Sequence, residues 1–280
     1  MRDPKALEEA APIVVIEAGQ RSRFDLAEIW RYRDLLYFLT RREVTIRYKQ
    51  TLLGIAWAVL QPLLATVIFT LFLGRLARVP SDGIPYPVFV YLGLLPWTFF
   101  AGAVTRGGAS LVANANLLSK VYFPRLLVPL SATLAALVDT GFALAMLLGI
   151  MWLYGAPPGW GIFALVPLLG LVAVVASGVG LWLAALNVRY RDVQHAVPFL
   201  VQLWMFASPV VYPASKVPER YRLLYATNPM AGLVEACRAL PLGRPVDGLA
   251  LAISTAVGLA LFAWGLWRFR RMEKSFADVI

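Results

Sequence analysis

DTGFALAMLLGIMWLYGAPPGWGIFALVPLLGLVAVVASGVGLWLAALNVR, residues 139–189, decides the fold class. No charged residue lies between Asp139 and Arg189. A helix rises about 1.5 Å per residue and needs about 20 residues to cross a hydrocarbon layer of about 30 Å. The stretch holds two such lengths, and Gly155-Ala-Pro-Pro-Gly159 between them has the composition of a tight turn. It therefore reads as two membrane helices, one out and one back.

The rest of the chain agrees. Of its 280 residues, 60% are hydrophobic and 15% charged, where a soluble globular chain carries about 25% charged residues. With a mean hydropathy of +0.69, this is a polytopic, all-α integral membrane protein. The net charge of +10 does not point to nucleic acid, because the basic residues gather between apolar runs, where a membrane protein keeps its inside loops. The single cysteine, Cys237, allows no internal disulfide and reads as packing. Residues 1–33 are charged throughout apart from the short run Ile13-Val-Val-Ile16, which argues against a cleavable signal.

Six spans follow in order, at residues 51–74, 87–111, 126–153, 160–186, 196–213 and 248–267, within a transmembrane domain of residues 50–270. Residues 1–24 read as a polar cytoplasmic arm and 271–280 as a cytoplasmic tail. Residues 25–49 form an amphipathic helix: Leu26, Ile29, Tyr32, Leu36 and Leu39 fall on one face. Such a helix suits the membrane interface, with its cations near lipid phosphates, or else an ordinary soluble surface. Lysine and arginine number 18 on one side of the six spans and 7 on the other, with Arg106 inside a span. Both termini are therefore expected in the cytoplasm. Between the fifth and sixth spans, Asn228-Pro229 starts a helix that stops near Pro241, too short to span. With its neighbour it makes a re-entrant helical hairpin over residues 217–240, dipping in from the periplasmic or extracellular face.

Candidate chemistry is sparse. No Gly-x-x-x-x-Gly-Lys-Ser/Thr run is present, so the chain is not expected to hydrolyse ATP. One His and one Cys do not make a metal site, and His195 reads as structural. No catalytic, cofactor or metal residues are expected. Asp139 lies mid-span, as a proton or cation relay or as a packing carboxylate. Arg106 either snorkels toward the cytoplasmic surface or pairs with Asp139.

Aromatic and amide residues are the richer signal. Trp57 and Gln61 share a face of the first span. Tyr91, Thr98, Gly102 and Thr105 form a partly polar stripe on the second, and Phe199, Gln202 and Phe206 a stripe on the fifth. Amides in hydrocarbon need partners. Rings beside amides suit a sugar-bearing substrate, and helix packing explains them equally. Ala173, Ser177, Gly180 and Ala184 suggest close helix packing. Leu117, Leu118, Val121, Tyr122 and Phe123 are apolar in a water-side loop, residues 114–124. They suit a docking surface or burial among headgroups.

Four stretches then carry a resemblance: residues 41–62 (RREVTIRYKQTLLGIAWAVLQP), 114–125 (NANLLSKVYFPR), 187–209 (from NVRYRDV to SP), and Asn228-Pro-Met230 with its helix. In this order they resemble the membrane permease of type 2 ABC exporters of lipid-linked polysaccharides: the O-antigen, capsule and teichoic-acid export family. The resemblance covers roughly residues 28–270.

It implies a homodimer in the cell membrane, paired with two cytoplasmic ATPase subunits that hold the ATP and Mg²⁺; this chain itself binds no cofactor. It implies a glycan path lined by Trp57, Gln61, Phe199, Gln202 and Phe206, to which the stripe adds Tyr91 and Thr98. The 114–124 loop becomes a coupling loop, with Leu117, Leu118, Lys120, Val121, Tyr122 and Phe123 as ATPase contacts, joined by Arg189, Arg191 and Asp192. The helix at 25–49 becomes a gate helix, with Arg41, Arg42, Arg47 and Lys49 near the entrance of a lipid pyrophosphate head. Three other readings are an exporter of another lipid-linked or amphipathic substrate, a polyprenyl-phosphate transferase and a proton-coupled carrier. The transferase lacks the acidic metal cluster it would need.

Overall fold

The computed structural model describes residues 26–49, 54, 56–121 and 123–273. The expectations for residues 1–24 and 274–280, and for Tyr122, lie outside the described residues. Every regular element among the described residues is helical: α1 Leu26–Arg31, α2 Arg33–Tyr48, α3 Ala56–Phe69, α4 Tyr86–Ala113, α5 Ala115–Leu118, α6 Leu127–Leu153, α7 Leu165–Arg189, α8 Val193–Phe206, α9 Glu219–Ala226, α10 Pro229–Ala239 and α11 Gly248–Glu273. α3 continues through wide π-helical turns over Thr70–Leu76, and α7 is led in by a 3₁₀ turn over Trp160–Ala164.

Among the described residues, five helices are long and apolar enough to cross a membrane: α3 with its π turns, α4, α6, α7 with its 3₁₀ lead, and α11. α8, expected as a span over residues 196–213, is corrected to 14 residues over Val193–Phe206. That is about 21 Å of helix, short of the hydrocarbon thickness. The chain then runs without regular helix to Pro213: Pro209 has no N–H to continue the helix, and the carbonyls of Ala207, Pro209 and Val210 accept from Asn228 and Arg238.

α4 is the axis of the bundle. It packs against α3, α6, α7, α8 and α10 and is buried along most of its length. Its upper half, with Phe89, Tyr91, Leu92, Leu95 and Phe100, fills the main core. A second cluster sits at the lower end, the end carrying the 114–125 loop. There Leu39 of α2 meets Leu111, Phe123, Leu126, Leu127 and Phe269.

The predicted face of the N-terminal helix explains this contact, since Ile29, Tyr32, Leu36 and Leu39 all join the lower cluster. The helix breaks at Tyr32. It does not stand apart from the bundle but packs along α6, and its last residues, Arg47 and Tyr48, reach Asp139 halfway up α6. Its far side leaves Trp30, Tyr37, Phe38 and Ile46 exposed.

At the upper end, α9 and α10 form the expected pair of short helices. Asn228 caps α10 by accepting a bond from the Met230 amide at 3.0 Å, with Pro229 in the first turn.

Candidate functional site

Four places gather polar or exposed residues. The first is the charged cluster on Asp139. Arg47 Nη1 pairs with its Oδ2, Tyr48 donates its phenol to Oδ1, and Arg106 Nη2 stands 3.6 Å from Oδ2. Burial raises the Tyr48 phenol above its usual pKa, as do the hydrogen bond to Asp139 and the carboxylate's charge, so Tyr48 is a neutral donor.

The route of Arg106 answers the choice left open by the sequence. Side chains on a helix tilt toward its N-terminus, and the N-terminus of α4 is at the upper end. Arg106 therefore climbs into the bundle instead of descending to the surface. It lies over Gly102, one turn earlier, where a Cβ would stand 2.6 Å from Arg106 Nη2. The glycine leaves the guanidinium this place; a side chain there would push it aside. Beside the cluster lies a cavity of about 310 Å³ between α3, α4 and α6, lined by Gln61, Thr98, Phe99, Arg106, Asp139 and Thr140 among others.

The second place comprises the lining candidates. Trp57 and Gln61 are exposed on α3, as are Phe199, Gln202 and Phe206 on α8. Phe199 is 64% and Phe206 52% accessible, on a helix whose opposite side buries Val197, Val201 and Met205. Thr98 is exposed and bonds the Leu95 carbonyl at 3.2 Å. Tyr91 is a correction: it is fully buried, and its hydroxyl donates to the Ala143 carbonyl at 3.0 Å. It fastens α4 to α6 and lines no exposed face.

The third is the lower loop. Lys120, Val121, Arg189, Arg191 and Asp192 are exposed, and Leu117 and Leu118 are half-buried. Phe123 is a second correction, being 5% accessible inside the lower cluster. An apolar ring beside Leu39 and Phe269 has more to gain from the core than from a docking face. The four entrance candidates divide. Arg42 donates to Asn114 Oδ1 and Arg47 is held by Asp139, whereas Arg41 and Lys49 are exposed. His195 is exposed beside Gln194.

The fourth place was missed by sequence reasoning. Arg238 on α10 is 3% accessible. Its Nη1 pairs with Glu235 at 2.7 Å, and its Nη2 donates to the carbonyls of Pro209 at 2.7 Å and Val210 at 2.9 Å. Its Nε donates to the Phe89 carbonyl at 3.3 Å, and the guanidinium lies 3.8 Å from the Phe89 ring centre. A helix that ends leaves carbonyls without partners, and here an arginine from α10 supplies donors just beyond α8.

Asn228 adds to the weld. It accepts from Trp204 Nε1 at 3.0 Å and donates to Ala207 O at 3.0 Å and Ser208 Oγ at 2.9 Å. Burial lowers the pKa of Arg238, against the raising influence of Glu235 and Asp82. Burial also raises the Tyr225 phenol, which bonds Tyr212 at 3.0 Å. The adjacent Cys237 thiol is fully buried and pushed up to about 12, so it is unreactive while α10 stays packed.

Comparison with known proteins places this architecture. Over 264 residues the chain is 34% identical to the O-antigen export system permease protein RfbA of Myxococcus xanthus, covering 90% of this chain and 98% of that protein. It is 29% identical to the RfbA permease of Klebsiella pneumoniae over 88% of this chain and 95% of that one. It is 27% identical to the polysialic acid transport protein KpsM of Escherichia coli over 84% and 92%. The ABC-2 type transporter family matches residues 34–241, which take in α2 to α10 and so the Asp139 cluster, the lower loop and the Arg238 weld. The chain belongs to the ABC-2 type transporter family.

Proposed function

We propose that the chain is the permease subunit of an ABC exporter of lipid-linked polysaccharide, carrying a glycan of the O-antigen or capsule class on an undecaprenyl carrier across the cytoplasmic membrane. The observation that carries the reading is the likeness, over nearly the full length of both chains, to a permease named for O-antigen export. The chain works as a homodimer with two copies of a cytoplasmic ATPase, and ATP and Mg²⁺ belong to that partner. Its own sequence has no Walker-type phosphate loop. In this reading α8, extended by residues 207–213, is the fifth of six spans, α9 and α10 re-enter from the outer face, and both termini are cytoplasmic. The lower loop, with Leu117, Leu118, Lys120, Val121, Arg189, Arg191 and Asp192, faces the ATPase.

The exposed faces of α3 and α8 support a path between protomers. Each packs on α4, and each turns an apolar and aromatic side outward: Trp57, Leu64 and Ile68 on α3, Phe199, Leu203 and Phe206 on α8. Gln61 and Gln202 put amides on the same outward sides, which suits a path for sugars better than plain lipid contact.

Two measurements test this. Purified chain is expected to show no ATPase activity, and cells lacking their permease gene are expected to regain surface glycan when this chain is produced with its cognate ATPase. Robust hydrolysis by the chain alone would overturn the reading. The double variant Phe199→Ala/Phe206→Ala is expected to reduce glycan export about thirtyfold at unchanged protein level, since each ring contact contributes about 1 kcal/mol. Unchanged export would mean that the rings face lipid.

A further inference from the structure

We propose that the Arg47–Tyr48–Asp139–Arg106 cluster is a pyrophosphate-binding site kept closed by its own carboxylate. Asp139 holds the place that the phosphoryl head of a polyprenyl-linked substrate takes when it enters the cavity between α3, α4 and α6. The identity of the lipid rests on the export reading; the charge of the site does not.

Three observations carry it. First, the donors outnumber the acceptor. Arg47 and Arg106 both address the same oxygen, Oδ2 of Asp139. Glu43, one turn before Arg47 on α2, adds its charge beside Arg106 but forms no ion pair among the described residues, so two guanidinium forks share one carboxylate as their hydrogen-bonding partner. Second, Arg106 is under-used: its Nε is buried without a hydrogen-bond partner. A guanidinium has five donors in a fixed fork that matches carboxylate and phosphate oxygens. Third, there is room. The adjoining cavity of about 310 Å³ falls at the lower end of the range for small-ligand sites. Gln61 and Thr98 line its wall with further polar groups.

A carboxylate is one small anion, whereas a pyrophosphate brings more oxygens and more charge to the same two forks. Exchange therefore gains charge-assisted hydrogen bonds. It does not strand Asp139, because Tyr48 still donates to its Oδ1. The exchange also changes what holds the end of α2. Before loading, Arg47 ties α2 directly to α6 through Asp139. After loading, the tie runs through the substrate, so occupancy is felt where α2 hands over to α3.

The test uses the full chain in lipid nanodiscs. The probes are undecaprenyl pyrophosphate, undecaprenol and inorganic pyrophosphate, with binding read by microscale thermophoresis. Asp139→Asn keeps shape and removes the competing charge, and it is expected to bind undecaprenyl pyrophosphate about tenfold tighter than wild type. Arg106→Gln is expected to bind about tenfold weaker, and neither change is expected to alter undecaprenol binding. A purely structural Asp139 predicts the opposite sign. Binding by Asp139→Asn that is equal to or weaker than wild type, with the protein still folded, overturns the proposal.

If Asp139→Asn does not fold, Asp139→Ser, which also removes the competing charge, replaces it. Tighter binding supports the latch, and unchanged or weaker binding sinks it. Inorganic pyrophosphate following the same ranking supports a site that also accepts the free anion. A ranking seen only with the lipid form supports a site that needs the chain. Glycan export in permease-deficient cells separates the two readings. Intact export with no ranking among variants sinks the site alone. The ranking without export sinks the export reading alone.

Discussion

Arg238→Ala is expected to loosen the upper end of the bundle and lower stability by about 3–5 kcal/mol, the scale for removing one partner from a buried ion pair. The effect is large because one side chain serves three carbonyls from two segments, Phe89 on α4 and Pro209 and Val210 beyond α8. Alanine leaves all three without that donor in a region closed to water, and each unsatisfied buried group costs about 1–3 kcal/mol. Glu235 is 32% accessible, so its loss of a partner is partly met by solvent and contributes least. Arg238→Lys restores charge but offers no fork to Pro209 and Val210, and it is expected to recover less than half of the loss. The chain supplies its own reporter. Cys237 is its only cysteine and is fully buried beside Arg238. Labelling by a thiol-reactive dye during a thermal ramp should begin at a clearly lower temperature in Arg238→Ala. An unshifted labelling curve would show that the carbonyls find other donors.

Arg238 also shows where reading the sequence stops. The long helices α4, α6, α7 and α11 were legible because composition and length suffice for a membrane span, and their ends moved by a few residues at most, apart from α11, which runs on to Glu273. The end of α8 was not legible. Residues 196–213 carry no charge and only Gln202 and Ser208 interrupt the apolar run, yet the helix stops at Phe206. The groups that take over its last carbonyls, Asn228 and Arg238, lie 20 or more residues ahead in sequence. The signal available was a charge on the apolar face of a short helix. Arg238 follows Met230, Leu233, Val234 and Cys237, with Glu235 three residues before it.

The candidate site divides along the same line. Phe199, Gln202 and Phe206 were readable because α8 has a covered and an open side, so its stripe has meaning. α4 is enclosed on nearly every side in its upper half, and there a stripe does not tell inside from outside. Tyr91 and Thr98 share a sequence stripe, yet Tyr91 is fully buried and Thr98 is open to the cavity. Asp139 was visible as a misplaced charge, but its three partners come from α2 and α4. The direction of Arg106 followed from helix geometry and Gly102, both present in the sequence once the orientation of α4 is known.

Gly265→Val is expected to detach α11 from α7, with a loss of at least about 3 kcal/mol, the upper part of the range for overpacking. A Cβ on Gly265 would lie 2.0 Å from the Gly178 carbonyl oxygen, and one on Gly178 would lie 2.4 Å from Phe262 Cα. The clashing atoms are backbone, so no rotamer change relieves them and one helix must move. Between apolar helices in lipid, close backbone approach supplies much of the attraction, and the contact is lost when the helices separate. Of the stripe that suggested close packing on α7, Gly180 faces α4, where it meets Gly107; the α11 contact uses Gly178, off that stripe. Since α10 also packs on α11, displacement of α11 should expose Cys237, so the labelling assay that reports on Arg238 also reports here. Gly180→Ala serves as the control. Its Cβ meets nothing closer than 3.8 Å, and its labelling curve should match wild type. Early labelling in Gly180→Ala together with a normal curve for Gly265→Val would show that α7 is held by α4 alone.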